Sequence, residues 1–255
     1  MDITRVRRTG RALPHLLGFL LLSALSSCSK NEPAKRAVTP LDLGSVGSIV
    51  GQVDVSGPVP ERRALQLRGF AECLALHSEP VFADDALVKD GKLQNALVYV
   101  KEGLGDRVFA VPEAAVVIDQ RGCVFVPHVA GAQVGQPVRF LNTDSLAHNV
   151  HGVPKKASAW NFNLGVQGAS RTITVEQAEN VIPLRCDVHP WMTAYLGVFD
   201  HPYFAVTGPD GRFELRNLPP GQYVIEAWHE RFGTRTTNVS LGPKENKEIS
   251  FGFAG

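Results

Sequence analysis

The stretch TGPDGRFELRNLPPGQYVIEAWHE, residues 207–230, sets the tightest limit on what this chain can fold into. Apolar and polar residues alternate along strand-length runs, and Pro-Asp-Gly and Pro-Pro-Gly end those runs before a helix could develop. The same texture begins at Ser48 with IVGQVDV and its SGPVP terminator. It returns in LQNALVYVKEG, AAVVIDQRG, CVFVPHV, the two runs of AGAQVGQPVRFLNTD, TITV, VIPLRC, AYLGVF, TRTTNVSLG and KEISFGF. The 24 Gly and 17 Pro among 255 residues supply the turns. No segment supports a helix longer than three turns. Residues 62–90 are ambiguous, because ALQLRGFAECLAL suits one or two helical turns or a strand pair, and 152–171 reads as loop-rich. The expectation is an all-β protein built as sandwiches. A net charge of +1 excludes a strong general attraction to nucleic acid.

The N-terminus carries a different signal. Arg5, Arg7, Arg8 and Arg11 precede a mainly apolar run from Ala12 to Leu25. That run is shorter than the ~20 residues an ordinary membrane span needs, and it reads as the core of a secretory signal. It ends in Leu25-Ser26-Ser27-Cys28, which resembles a bacterial lipobox with Cys28 as the lipidated residue. The alternative is a plain signal peptide cut nearby. Loss of residues 1–27 removes four Arg and Asp2 and leaves the remainder slightly acidic. The expected location is the periplasmic face of a bacterial cell envelope, on an outer-membrane lipoprotein tethered through the Cys28 lipid, where disulfides are permitted. Residues 28–47 read as a flexible tether.

Sulfur is scarce, so its placement is informative: four Cys, and two Met of which Met1 is the initiator. Cys186-Asp187-Val188-His189-Pro190-Trp191-Met192 puts a thiolate, an imidazole and a thioether within seven residues, between two strands. A second imidazole, His148, lies upstream in FLNTDSLAHNVHG. Soft sulfur favours Cu(I) and imidazole suits both oxidation states of copper; two His, one Cys and a weak Met suit one-electron transfer. Zinc would gather further Cys or His and would seldom use a thioether. Asn149 is placed to hydrogen-bond across to the ligand loop. Trp191 and Pro190 would form an apolar collar where a redox protein partner docks, near His189 and Trp191. Arg185 stands beside the thiolate.

Two pieces, VGQPVRFLNTDSLAHNVHG and LRCDVHPWM, resemble a type 1 blue-copper domain, a cupredoxin of the plastocyanin and amicyanin kind. The Cys-x2-His-x2-Met spacing is most similar to the short loop of amicyanin. The resemblance implies copper ligands His148, Cys186, His189 and Met192, a Greek-key β-sandwich over residues 109–202, and electron shuttling without catalysis. It departs at Pro183-Leu184-Arg185, where an aromatic residue is usual. Residues 48–108 and 203–255 resemble a carboxypeptidase regulatory-like, or transthyretin-like, small sandwich. The cupredoxin would then be inserted in it or stand next to it.

With Cys28 lipidated and Cys186 a ligand, Cys73 and Cys123 remain for a disulfide. The rival is a second metal site from Cys73, His77, Cys123 and His128. His151 reads as a surface residue or a support to the ligands, with a ligand role as its alternative, and His201 and His229 as structural or solvent-facing. Two other functions stay open: a surface binding or adhesion module with copper as a structural staple, and a non-redox copper carrier.

Overall fold

The computed structural model describes residues 36–255, which form one compact unit. The signal segment and Cys28 lie outside the described residues. Within them the chain forms eighteen strands and one helix of five residues, Ala71–Ala75, so it is all-β. No helix among the described residues is long and apolar enough to cross a membrane.

The strands make four sheets in two facing pairs. In the first pair, the strand Gly47–Ser56 is flanked by Arg212–Leu218 and, in parallel, by Asn246–Ala254. The opposing sheet runs Phe204–Val206, Leu97–Glu102, Gly221–His229, Gly233–Leu241. Ile49, Val53, Leu93, Val98, Ile225 and Phe253 fill the space between them. In the second pair, one sheet runs Trp160–Leu164, His148–Gly152, Glu179–Arg185, Thr193–Phe199, Val129–Gln133. The other runs Ser170–Ile173, Val138–Asn142, Val116–Gln120, Phe125–Val126. Phe140, Ile118, Val150, Ile182, Leu184 and Leu196 are its core. All strands of the second pair come from residues 116–199, between two blocks of the chain that build the first pair.

A third apolar cluster joins the pairs: Leu97, Tyr99, Val129 and Phe199, with Phe204, Val206 and Trp228 against them. It explains why LVYV at 97–100 lacks the polar alternation of a half-exposed strand. Val98 and Val100 face the first core while Leu97 and Tyr99 face the seam, so both sides are buried. Gly131 and Gly197 are partners across the parallel ladder on the other side of that seam. A Cβ on Gly131 would lie 2.5 Å from the Phe204 ring, and one on Gly197 would lie 2.6 Å from Leu97. The paired glycines leave a flat patch on which those side chains sit.

Three stretches differ from the expectations. Residues 36–46, expected as part of a flexible tether, lie along the first pair: Thr39 N–H donates to Val108 O at 2.8 Å and Leu41 packs on the core. The supposed loop at 152–171 contains the strand Trp160–Leu164, whose Trp, Phe and Leu alternate with two Asn. Asn has low strand propensity and hides that alternation. In the ambiguous 62–90 region, one helical turn forms and Ala64 bridges Phe82.

Candidate metal centre

Two backbone segments carry the donors. The strand Val138–Asn142 leads through Thr143–Ala147 into His148, the first residue of the next strand. Glu179–Arg185 ends at Cys186, and the loop 186–192 returns into Thr193–Phe199. Two backbone bonds hold the loop: Cys186 N–H donates to Met192 O at 3.2 Å, and Met192 N–H to His189 O at 2.9 Å. Strand alternation buries Leu184 and Cys186 and turns Arg185 to solvent, so the cation points away from the sulfur.

His148, Cys186 and His189 converge. One donor atom from each lies within 4.8 Å of the others, and all three residues are buried. The two Nδ1 atoms face each other at 2.9 Å, and Cys186 Sγ is 3.7 Å from His189 Nδ1. Cys186 is the free cysteine of the described residues. Met192, 1% exposed, belongs to the same buried cluster.

Burial and mutual contact shift the titration of all three groups. Burial pushes the Cys186 thiol up, but the His148 side chain and backbone N–H groups of Asn149, His189 and Val188 outweigh it, so the thiol ionises below its ordinary range. Burial disfavours a charged His148, yet the hydrogen bond to Asp144, and after it the one to Cys186, raise its pKa to about 9. Burial and the neighbouring His148 charge push His189 down to about 4. In the metal-free protein the two facing nitrogens therefore share one proton beside a thiol whose ionisation is eased.

Asp144 was not legible in the sequence. Its carboxylate accepts His148 Nε2–H at 2.9 Å, Gly122 N–H at 2.6 Å and Cys123 N–H at 2.8 Å. Burial raises its pKa, and these three bonds together pull it below the ordinary value. It fixes the outer nitrogen of His148, so that Nδ1 is the atom turned inward. Asn149 reaches the ligand loop as expected: its Oδ1 accepts Asp187 N–H, and its Nδ2 donates to Asp187 Oδ2 at 3.0 Å. Asn161 Nδ2 and His151 Nδ1 also bond Asp187, at 2.8 and 3.0 Å. His151, Asn161 and Asn149 in that order lower the Asp187 pKa to about 2. Asn149 and His151, two apart on one strand, share the face opposite His148, which places both over the loop.

The disulfide between Cys73 and Cys123 forms. The rival grouping does not assemble, since His77 Nε2 bonds Gly122 O at 2.8 Å and His128 pairs with Glu230. The disulfide brings the segment before it onto the centre. Phe70 stands edge-on to His189 and Trp191, with ring centroids 5.4 and 4.7 Å away. Trp191 Nε1 donates to Cys123 O at 3.0 Å. His189 is accordingly 3% exposed and does not itself reach the surface. His201 and His229 are buried rather than solvent-facing; His201 Nε2 bonds Val100 O at 2.9 Å.

No family model matches the chain, and no curated protein does. Among solved structures, a Cu(I) form of an amicyanin variant aligns over 40% of this chain and 97% of its own, at 20% identity and a TM-score of 0.30. A purple cupredoxin from Nitrosopumilus maritimus aligns over 32% and 98%, at 21% identity and a TM-score of 0.29. A Cu-containing nitrite reductase from Thermus scotoductus SA-01 aligns over 58% and 28%, at 19% identity and a TM-score of 0.32. Likeness at this level assigns no family, and the functional reading rests on the residues themselves.

Proposed function

We propose that the protein binds one copper ion through His148, Cys186, His189 and Met192 and passes single electrons outside the cytoplasm. One observation carries the reading: two imidazole Nδ1 atoms, 2.9 Å apart, face each other beside a buried free thiol. Without metal the two ring nitrogens share a hydrogen bond; with a metal in place of that proton, two nitrogens and one soft sulfur favour copper over magnesium, calcium or a thiol-rich zinc site. Met192 is the weak fourth donor in this reading. Copper, when bound, supplies a one-electron couple.

The chain's own residues supply the rest. Asp144 orients His148, and Asn149 clamps the loop that carries the other donors. The ligand set is thereby held on the start of one strand and one short loop, and it changes little between oxidation states. Phe70 and Trp191 keep water from His189. Four protein donors leave a bound ion no open position for a substrate, so the reading is an electron carrier and not an enzyme. The two pairs of sheets are read as a cupredoxin-like domain interrupting a carboxypeptidase regulatory-like one. Cys28 would tether the whole to the periplasmic face of a bacterial outer membrane. A partner would approach the end of the molecule that holds Val188, Asp187 and the Phe70 segment.

Voltammetry of the copper-loaded protein, prepared without residues 1–28, tests the shuttle. A reversible one-electron wave is expected, and it should be lost in Cys186→Ser and His189→Gln. A loaded protein that cannot be cycled refutes electron transfer and leaves copper in a structural or storage role.

A further inference from the structure

The Cys73–Cys123 disulfide does more than close a loop. A sulfur from each cysteine and a ring nitrogen of His189 lie within 4.8 Å of one another, in a second buried triad beside the first. Cys123 Sγ is also within that distance of a His148 nitrogen and an Asp144 oxygen. Cys73 and Cys123 are both fully buried. In the oxidised form neither sulfur carries the thiolate charge that would bind a metal strongly. The oxidised structure already places both sulfurs and the imidazole within one coordination sphere's reach, and on reduction the two sulfurs separate from bonding distance to make room for the ion.

We infer that reduction of Cys73–Cys123 creates a second soft-metal site, in which two thiolates and His189 bind Cu(I). The reductant is a dithiol. It attacks one sulfur, passes through a mixed disulfide and leaves as its own disulfide, so two electrons and two protons reach the Cys73 and Cys123 sulfurs. Binding of Cu(I) then displaces the two thiol protons to solvent. The metal keeps its oxidation state throughout. Two thiolates with one imidazole make a softer set than the single thiolate of the first triad and favour Cu(I) more strongly. The redox state of one disulfide thus decides whether this end of the molecule holds monovalent copper in one place or has a second place for it.

The site is argued from Cys73, Cys123 and His189 alone and is tested with the first triad disabled. Cys186→Ser is prepared in disulfide and dithiothreitol-reduced forms, the reductant is removed without oxygen, and each is titrated with Cu(I) against a chelating competitor. Reduction should raise Cu(I) affinity at least a hundredfold, and X-ray absorption should show two sulfur neighbours. Adding His189→Gln should weaken the reduced form at least tenfold, whereas an unfolded dithiol would be indifferent to that change. Equal affinity in the two redox states overturns the inference, as does a gain that survives His189→Gln. Failure of the first triad would appear instead as copper loading of the oxidised wild type that Cys186→Ser leaves unchanged.

Discussion

Replacing Asp144 by Asn probes the part of the centre that the fold supplies and the ligand motif does not contain. In the metal-free protein His148 holds its proton to about pH 9, against an ordinary 6.5, although burial alone would favour the neutral ring. The difference corresponds to roughly 3 kcal/mol favouring the imidazolium in the folded state. The folded pKa is the higher one. That stabilisation is therefore complete below about pH 6.5 and is lost as the pH rises through 9. The hydrogen bond to Asp144 is the largest of the effects that raise it. Asn keeps the shape and removes the charge, so the His148 midpoint should fall by at least about one pH unit. The variant should also lose part of its stability, since Gly122 and Cys123 N–H donate to different carboxylate oxygens and the single amide oxygen leaves one of them facing an NH2 group. The assay is an NMR titration of the histidine ring nitrogens in metal-free protein. A variant His148 that still titrates near 9, or a wild-type His148 that titrates near 6.5, refutes the role given to Asp144.

Three further outcomes follow from other parts of the fold. Gly197→Ala drives a Cβ against Leu97 and the Asn180 carbonyl. It should cost about 1–3 kcal/mol in chemical denaturation, part of which Leu97→Ala recovers. Replacing Cys73 and Cys123 together by Ser opens a loop with a sequence separation of 50 and should lower stability by about 4 kcal/mol on the loop-entropy account. Asn149→Ala frees Asp187 from one of its clamps and leaves the Asp187 N–H without its side-chain acceptor. Copper should then leave to a chelator roughly 10–100-fold faster, with the fold intact by circular dichroism.

How much of this was legible in the sequence depended on how local the signal was. Strands such as Gly47–Ser56 and Gly221–His229 announce themselves through alternation and Pro/Gly punctuation, because side-chain period is a local property. Cys186, His189 and Met192 share one loop, so their spacing was visible. His148 was visible as an imidazole shortly after a strand, and it also opens the next one. Asp144 and Phe70 were not. Asp144 becomes a partner of His148 only because the turn at Gly122 and Cys123 comes over it from a different strand connection. Phe70 covers His189 only because a disulfide across the fold brings its segment there. The D-x3-H spacing from Asp144 to His148 was on the page, but nothing local separates it from a turn-forming Asp. Trp160–Leu164 shows the opposite failure: the alternation was present, and two Asn with a loop-like surround concealed it.

The central claim is that Cys186 sulfur, His148 and His189 hold copper together. It is tested most directly by adding one equivalent of Cu(II) to the metal-free protein and recording the visible spectrum. The account predicts an intense thiolate-to-copper charge-transfer band that Cys186→Ser abolishes and Arg185→Ala leaves in place. A colourless product, or a band unchanged in Cys186→Ser, would contradict it.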